Sequence, residues 1–567
     1  MSADSQSPLE WIAEWQSLSD EKLCQKFSLF NEVSAKKFNF DDISVEARSN
    51  LSACIEGRIV RSDNDELRKS VLTCLRMIAR GKYGIDVLFT KAVARFVIDS
   101  AQLTSEKISF DSNVLIEAEM CLINALFNSS CTRNTFQDDS TGILLSRIRC
   151  ITKHLPSLKL PIESDEFPYL DQCDERELQL LHFYDFRIAF VSSAHIVSLR
   201  HDWSEPNKCK IFVDALEVCL STSDAMLTNV AQTSSDGMVL DRAKEILKIL
   251  FNIFYRADSE PNDCSERCVL LCKKIVELDK VDHDLEQNAV NLLAVLPNLL
   301  VLLAPKTVET VSKNVTVYNG YDVTVVDALL KSINRQVQDV SPDLPLAPNA
   351  LQQRIPNEFE MLGTYFTVLI VLCSKLKEVR RYTRSKVIPP LRATDVERRP
   401  EEGNELRNKV IRVMASSASC RELAGEFLFV LSKRSVNRFM KYTGFGNAAG
   451  LLANYGFLGR INEQRRPSDS EDSETEDYKE VEHQVNPVTG WIEPEKEKVW
   501  EGMSDEQKEY EAVNLMNAMS RLMDQGMIKP GTVGDDGRIR EVSHVLELCK
   551  DTPEGKKDDE GSESDVD

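Results

Sequence analysis

Glycine, histidine and tryptophan are all scarce in this chain of 567 residues, and each shortage argues against a class of protein. With 22 glycines, the sequence lacks the glycine-rich turns that join short strands in all-β folds. The seven histidines are dispersed, and none lies at metal-ligand spacing from another histidine or a cysteine. The five tryptophans do not recur at a repeat spacing, which argues against an adaptor that binds extended basic peptides through Trp-rich ridges.

Long apolar runs and an excess of basic residues are also missing. The most apolar stretch, residues 289–305, is interrupted by Asn291, Pro297 and Asn298, so we interpret it as a buried helix rather than a membrane span of about 20 apolar residues. The 91 acidic residues outnumber the 69 basic ones and give a net charge of -22, which disfavours nucleic acid or an anionic membrane as the main partner. With no signal peptide at the N-terminus and 15 scattered cysteines, we expect a soluble intracellular protein with reduced thiols.

Enzyme signatures are absent as well. The sequence contains no phosphate-binding loop, no zinc-protease motif and no nucleophile elbow. Cys264, Cys268 and Cys272 share one helical face, but this spacing is more typical of core packing than of a metal site. The glycines between Gly444 and Gly450 follow a helix rather than a strand, so we expect them to end one helix and allow the next to pack closely. We therefore predict no catalytic residues, no metal and no cofactor.

A helical hydrophobic period dominates residues 10–455. Glu117 and Asn124 recur in register as Glu245 and Asn252, 128 residues later, close to three units of about 43 residues, within the range of armadillo and HEAT repeats. Two copies also fit a chance recurrence, but the length and the all-helical pattern favour an armadillo/HEAT-like superhelix over residues 1–460. In such a repeat the Asn bonds a neighbouring backbone or a bound peptide. We expect loops at 129–139, 258–263 and 339–356, and a loop or hairpin at 314–326.

The composition changes after Gly459. We predict an acidic linker at 461–485, a partner-contacting segment at 486–530 and a disordered acidic tail at 531–567. Within the second of these, residues of about 504–525 form an amphipathic helix that begins with a Ser504–Gln507 capping box. Its apolar side is a candidate for docking on a partner, although it also fits packing back on the main body; it carries Val513, Leu515, Met516, Met519 and Leu522.

Charged residues supply the remaining candidates. Arg76 and Arg80 lie four residues apart on one helical face and fit either a carboxylate clamp or a solvated surface. Ser468 and Ser473 each have a glutamate three residues later, the pattern chosen by acidophilic kinases of casein-kinase-II type. Phosphate there would complement a basic cluster before a double proline, whereas an unmodified tether is the alternative; the cluster is Arg380, Arg381, Arg384 and Lys386.

Several long motifs resemble the synembryn family of Gα chaperones and non-receptor exchange factors. The resemblance is dense over residues 380–530 and patchy but collinear before them. The motifs are LKILFNIFY (247–255), IPPLR (388–392), RPEEGNELRNKVIRVM (399–414), GEFLFVLSK (425–433), KYTGFGNAAGLL (441–452), SETEDYKE (473–480), NPVTG (486–490) and EGMSDEQKEYEA (501–512).

The resemblance implies a superhelix that takes the C-terminal helix of a Gα subunit in a groove and stabilises the nucleotide-free state. It implies a GDP-bound or nucleotide-free Gα without βγ as the partner, no bond chemistry, and a cytoplasmic protein recruited to the cell cortex through Gα. It also implies Ser468 and Ser473 as phosphosites, with Thr475 as an alternative to the second, and a C-terminal helix that contacts Gα. The groove residues that it implies are Arg76, Arg80, Asn124, Phe186, Phe251 and Asn252. A generic armadillo adaptor for other cargo is the alternative.

Overall fold

The computed structural model of the chain describes residues 15, 17–105, 110–154, 164–221, 234–256, 260–304, 315–337, 361–416, 418–460, 475–494, 503–524, 531–533 and 539–541. Helices dominate these ranges, which confirms the predicted all-α repeat architecture. The chain divides into two compact units, unit 1 at Met1–Glu309 and unit 2 at Thr310–Asp567. The region predicted as one superhelix, residues 1–460, therefore includes all of unit 1 and part of unit 2.

The described part of unit 1 consists of helices. They are α1 (Asp20–Ser34), α2 (Val45–Gly57), α3 (Asp65–Ile78), α4 (Ile85–Leu88), α5 (Lys91–Ser100), α6 (Ser112–Asn128), α7 (Ser130–Asp139), α8 (Thr141–His154), α9 (Glu175–His195), α10 (Val197–Trp203), α11 (Pro206–Leu220), α12 (Ser234–Phe254), α13 (Asp263–Val276) and α14 (His283–Val295). Short 3-10 helices lie at Ile59–Arg61, Pro168–Gln172 and Leu299–Leu302.

Two rows of helices form unit 1. In the front row, α1, α3, α6, α9, α12 and α14 each pack against the next, and in the back row α2, α5, α7, α8, α11 and α13 do the same. Each repeat thus buries its apolar side against its neighbours, as expected for stacked helical repeats. The core lies between the rows, and the apolar face of α3, which includes Val71, Leu72 and Leu75, is fully buried there.

Local sequence explains where the main front-row helices begin. The Asn64 side chain accepts a hydrogen bond from the Leu67 amide at the start of α3, and Asp111 does the same for Val114 at the start of α6. At the start of α9, Asp174 and Glu177 form a capping box. Each cap satisfies amides that have no partner within the helix.

The described part of unit 2 begins with a small hairpin, β1 (Val317–Tyr318) paired with β2 (Tyr321–Asp322). A hairpin was one of the two forms expected at 314–326, although residues 324–326 already belong to the first helix of the unit. Its helices are α15 (Thr324–Gln336), α16 (Leu362–Lys375), α17 (Lys377–Val387), α18 (Leu406–Ala415), α19 (Arg421–Leu431), α20 (Val436–Thr443), α21 (Phe445–Asn454), α22 (Glu476–Val481) and α23 (Asp505–Asp524). Short 3-10 helices lie at Ala393–Val396, Leu458–Arg460 and Glu482–Gln484, and a second hairpin pairs β3 (Gly531–Val533) with β4 (Ile539–Glu541).

Two predicted irregular segments are helical. Residues 129–139, expected as a loop, form α7, which Ser129 caps by accepting a hydrogen bond from the Thr132 amide. Residues 475–485, expected as part of the acidic linker, include α22, whose Tyr478 side chain is buried. The predicted loop at 339–356 lies outside the described residues.

The structure also shows where the cysteines lie and which helices could span a membrane. Cys264, Cys268 and Cys272 are buried in unit 1, and the described part of the chain contains no group of three or more potential metal ligands. In those same ranges no helix is by itself long and apolar enough to cross a bilayer, and one sharply bent pair, Ser112–Asn128 with Ser130–Asp138, meets that criterion only when its helices are joined. The 289–305 stretch ends α14 and continues into a short 3-10 helix.

Candidate functional site

A groove of about 550 Å³ opens on the front row of unit 1. Side chains from α3, α6, α9, α12 and α14 line it, so it runs across successive repeats rather than along one helix. Its lining combines four basic groups, three acidic groups and two aromatic rings with smaller residues: Arg76, Met120, Ile123, Asn124, Phe183, Tyr184, Arg187, Asp241, Lys244, Glu245, Lys248 and Asp284.

The two glutamates of the predicted repeat, Glu117 and Glu245, form equivalent ion pairs with groove arginines. The Glu117 carboxylate of α6 accepts a hydrogen bond from Arg76 Nε of α3 at 2.5 Å. The Glu245 carboxylate of α12 accepts one from Arg187 Nη1 of α9 at 2.6 Å. In both cases a glutamate fixes an arginine on the preceding front-row helix.

The two repeat asparagines also play equivalent parts. Asn124 Nδ2 donates to the backbone oxygen of Arg76 at 3.0 Å. Asn252 Nδ2 donates to Ser193 Oγ at 3.0 Å and, more weakly, to the Phe190 backbone oxygen at 3.5 Å. Each asparagine therefore ties its helix to the preceding front-row helix, the first of the two roles that the sequence pattern predicts.

The cations of the groove are held in place but remain accessible. Lys244 Nζ lies 2.8 Å from Asp282, and Lys248 Nζ lies 3.0 Å from Glu245. Arg187 and Lys248 both lie over the Phe190 ring, at 5.8 Å and 5.4 Å from its centroid. Because the Arg187 side chain is 40% exposed, a ligand in the groove can reach its charge.

Arg80 lies beyond the end of α3 and outside the groove lining. Its Nη1 donates to the Lys37 backbone oxygen at 2.6 Å, and its guanidinium lies 5.3 Å from the centroid of the exposed Phe38 ring. Partial burial, and then the charge of Arg76, lower the pKa of Arg80. The structure therefore gives Arg76 and Arg80 separate surroundings rather than one clamp.

The aromatic predictions divide in two. Phe186 is fully buried beside His182, with ring centroids 4.5 Å apart, so it lies in the core and not on the groove surface. Its helix α9 is apolar around much of its circumference, and for that reason the sequence does not show which side faces outward. Phe251 is partly exposed and stacks on Tyr255 with centroids 5.3 Å apart.

Sequence reasoning missed the densest part of the groove, on α9 and α12. Stepping back along α12 by three or four residues from Asn252 gives Lys248, then Glu245 or Lys244, then Asp241. On α9, a step of three residues back from Phe186, the predicted groove residue on that helix, gives Phe183. Helical spacing from a predicted groove residue was thus the signal that identifies these side chains.

The C-terminal helix α23 confirms the predicted capping box. Ser504 Oγ accepts a hydrogen bond from the Gln507 amide, and Gln507 Oε1 accepts one from the Ser504 amide, both at 3.3 Å. The apolar side is exposed at Val513 (44%), Leu515 (64%) and Leu522 (38%), whereas Met516 and Met519 are half-buried. An exposed apolar helix side of this kind indicates an interaction surface.

The basic cluster lies on α17 of unit 2. Arg380 Nη1 donates to the Cys373 backbone oxygen at 2.7 Å, so this arginine helps to end α16. Lys386 is exposed and lies 5.6 Å from the Tyr382 ring centroid, while Arg381 and Arg384 are half-buried. The predicted phosphosites Ser468 and Ser473 lie outside the described residues.

Thr475, the alternative second phosphosite, is described. Its hydroxyl donates a hydrogen bond to the Leu391 backbone oxygen, and the residue sits at the N-cap of α22. A kinase can reach this oxygen only after the contact breaks.

Known proteins resemble the chain along nearly its whole length. The family model described as the guanine nucleotide exchange factor synembryn matches residues 71–538. The chain is 36% identical over 564 residues to the chaperone ric-8 of Caenorhabditis elegans, covering 94% of each protein. It is 35% identical over 556 residues to the chaperone ric-8 of Caenorhabditis briggsae, and 30% identical over 571 residues to the chaperone Ric-8A of Danio rerio. The match to the Caenorhabditis briggsae protein covers 94% of this chain and 95% of that relative. The match to the Danio rerio protein covers 95% of both proteins.

Proposed function

The chain belongs to the family of the guanine nucleotide exchange factor synembryn, and from that premise we propose that its front-row groove captures the C-terminal helix of a Gα subunit. The protein acts as a chaperone and nucleotide exchange factor for Gα. Its binding favours the nucleotide-free state of Gα over either nucleotide-bound state.

The groove is the observation that carries this proposal. It crosses five helices, and its four basic side chains are already paired with carboxylates before a ligand arrives. Preorganised charges and exposed aromatic rings bind a helix at a lower entropic cost than mobile side chains would. Arg76, Asn124, Phe251 and Asn252 remain the proposed contacts from sequence, Arg80 is a neighbouring contact beside Phe38, and Arg187 and Lys248 join them.

Exchange follows from differential binding. Gα holds GDP partly through the loop that precedes its C-terminal helix, so drawing that helix into the groove loosens the guanine pocket. GTP then restores a compact Gα that binds the groove weakly, and the complex separates. Because the protein stabilises an open Gα, the same preference serves chaperoning, and the protein's own side chains make or break no covalent bond.

The α23 helix supplies a second contact with Gα through Val513, Leu515, Met516, Met519 and Leu522. Burial of an exposed Leu or Val side chain contributes about 1.5–3 kcal/mol, enough to add appreciable affinity. A GDP-bound or nucleotide-free Gα without βγ is the form that leaves both contacts accessible. Recruitment of this cytoplasmic protein to the cell cortex would follow Gα.

Phosphorylation at Ser468 and Ser473 by a kinase of casein-kinase-II type regulates this activity. Each phosphate adds a charge of about −1.5 to −2 and three acceptor oxygens, which suits the basic cluster on α17. In the sequence, Ser473 precedes Thr475 by two residues, and the Thr475 hydroxyl donates to the Leu391 backbone oxygen.

The groove is tested with Arg76→Gln and Arg187→Gln, which remove a charge without placing a carboxylate beside Glu117 or Glu245. We expect each to weaken binding of a synthetic Gα C-terminal peptide about tenfold or more, since a charged hydrogen bond contributes about 1.5–3 kcal/mol. Isothermal titration calorimetry measures this affinity. Arg149→Gln, at an exposed position on back-row α8, is the matched control.

Unchanged peptide affinity in both groove variants would reject the groove as the binding site. Loss of affinity in the control as well would show that the peptide responds only to net charge.

Regulation is tested by measuring GDP release from purified Gα with kinase-treated protein. The double variant Ser468→Ala with Ser473→Ala should abolish the increase in GDP release that kinase treatment produces. Arg381→Glu should reduce this increase, whereas with Thr475→Ala kinase treatment should still increase GDP release. Equal exchange by treated and untreated wild-type protein would reject regulation by phosphorylation.

A further inference from the structure

A segment of unit 2, residues 475–494, runs back over the helices that precede it, and we call it the returning arm. Near its start, the Asp477 carboxylate accepts a hydrogen bond from the Ala393 amide at 3.0 Å. Tyr478 is 3% exposed, and Lys441 Nζ lies 4.1 Å from its ring centroid. The arm is therefore anchored by polar, apolar and cation–π contacts within its first four residues.

A tight turn at Asn486–Trp491 fixes the second half of the arm. Within the turn, the Asn486 amide donates to the Trp491 backbone oxygen at 3.0 Å. The backbone oxygens of Pro487 and Val488 accept hydrogen bonds from the amides of Phe445 and Gly446, at 2.9 Å and 2.8 Å. The turn thus caps the first amides of α21, which have no partner within their own helix.

The arm is held again just after the turn. The Ile492 amide donates to the Val396 backbone oxygen at 2.8 Å, and the Arg399 guanidinium lies 5.9 Å from the Trp491 ring centroid. Pro494 is followed by residues 495–502, which lie outside the described residues, and Ser504 caps α23.

Two glycines make this close approach possible. Gly444 and Gly490 both have φ of +75°, a backbone conformation that other residues rarely adopt. A Cβ at Gly490 would lie 2.7 Å from Pro400 Cγ and 3.0 Å from the backbone of Gly444. A Cβ at Gly444 would lie 3.0 Å from the carbonyl of Thr489. Backbone packs directly on backbone here, so neither position tolerates a side chain while the arm is docked.

We propose that the Gly444–Gly490 contact is an anchor that positions α23 for Gα, and that Gly444, Gly490 and Ile492 are positioning residues for exchange. This inference rests on the proposed function of α23. The anchor affects Gα binding without touching Gα, because it fixes the point at which the segment that connects the arm to α23 begins. We call this connecting segment the tether.

Chain length gives the size of the effect. With the arm docked, the tether of α23 begins at Pro494, ten residues before Ser504. Ten residues of fully extended chain span at most about 33–36 Å. With the arm released, the preceding described point is Arg460, 44 residues before Ser504. Effective concentration falls roughly as the −3/2 power of tether length, so release should lower it on the order of tenfold.

The experiment compares Gly490→Ala with Gly450→Ala in the full chain. Gly450 lies on α21, and a Cβ there meets nothing within 4 Å, so this variant controls for a glycine replacement next to the anchor. Ile492→Pro releases the arm by another route, since proline cannot donate to Val396. The measurements are affinity for GDP-bound Gα, affinity for the Gα C-terminal peptide, GDP release, and protease cleavage after Lys479 as a report on arm docking.

We expect Gly490→Ala and Ile492→Pro to speed protease cleavage after Lys479, because a released arm loses the contacts that hold α22 in place. We also expect both variants to weaken binding of whole Gα about tenfold and to slow GDP release. Their peptide affinity should equal that of wild type and Gly450→Ala, because the peptide site lies in unit 1. Normal exchange from a released arm, or equal losses for peptide and whole Gα in both variants, would overturn the proposal. If the wild-type protein itself failed to stimulate GDP release, the proposed function would fall instead.

Discussion

Arg147 carries its charge entirely inside unit 1, where it contacts two carboxylates. Arg147, Glu119 and Asp185 are all fully buried. The guanidinium donates to both carboxylates, to the Ala101 backbone oxygen at 2.8 Å and to the Tyr169 hydroxyl at 3.1 Å. One guanidinium neutralises one carboxylate, and an unpaired buried charge is costly, so one of the two acids holds a proton. Burial raises the pKa of both acids, and it raises that of Glu119 well above its usual range. Because Arg147 donates to both oxygens of Asp185 but to only one oxygen of Glu119, we assign the proton to Glu119.

This proton predicts how stability depends on pH. Above a pKa of about 4.3 the unfolded chain releases the Glu119 proton while the folded protein keeps it, so the free energy of unfolding falls as pH rises until the folded pKa is reached. Glu119→Gln has no such proton to lose. We expect the wild type to lose up to about 1.4 kcal/mol more per pH unit than the variant within this window, measured by urea unfolding from pH 5 to pH 8.

Other titrating groups are the same in both proteins and cancel from the difference. Parallel stability curves for the wild type and Glu119→Gln would show that Glu119 is ionised in the folded state.

At the scale of helices, the Glu117–Asn124 and Glu245–Asn252 pairs show that the sequence can predict contacts between neighbouring helices. The recurrence of two polar residues on apolar helices predicted equivalent positions, and both copies indeed contact the preceding front-row helix. A polar residue inside an apolar pattern needs a partner, so its position carries more information than that of a surface charge.

The predictions for α7 and Phe186 were wrong because the local sequence pattern there carries little information about packing. Helix α7 reads SCTRNTFQDD, rich in residues that favour caps and turns, and its packing against α5 supplies a helical stability that local propensity does not. Phe186 was misplaced because uniform apolarity hides which face of α9 is buried. Arg76 and Asn124 do line the groove of unit 1, where a polar residue stands out against its apolar neighbours, and their contact with Gα stays a prediction.

The repeat asparagines are predicted to act independently. Asn124→Ala and Asn252→Ala each remove a hydrogen bond between neighbouring front-row helices, so each should lower the free energy of unfolding by about 1 kcal/mol. Because the two bonds join different helix pairs and share no partner, the double variant should lose the sum of the single losses. Urea unfolding followed by circular dichroism gives all three values.

A double loss that differs from the sum by more than about 0.5 kcal/mol would show that the two helix pairs are energetically coupled. Asn134→Ala, at an exposed position on back-row α7, is a suitable control.

At the scale of the whole molecule, the two proposed contacts with Gα lie in different units, the groove in unit 1 and α23 in unit 2. A partner that engages both gains affinity through effective concentration rather than through additional contacts. Sequence reasoning named both contacts but did not find the returning arm, because its decisive feature is the meeting of Gly444 and Gly490, two glycines far apart in the sequence.

The length of the tether before α23 therefore sets the strength of the second contact. Ten Gly/Ser residues inserted after Pro494 double the ten-residue tether, and doubling should lower effective concentration about threefold by the −3/2 power. We expect affinity for whole Gα to fall by that factor while peptide affinity stays constant. The same ten residues added after Asp567 are the control, since they leave the tether unchanged. An insert after Pro494 that leaves whole-Gα affinity intact would mean that α23 binds without any constraint from the arm, whereas a loss far above threefold would mean that residues after Pro494 contact Gα directly.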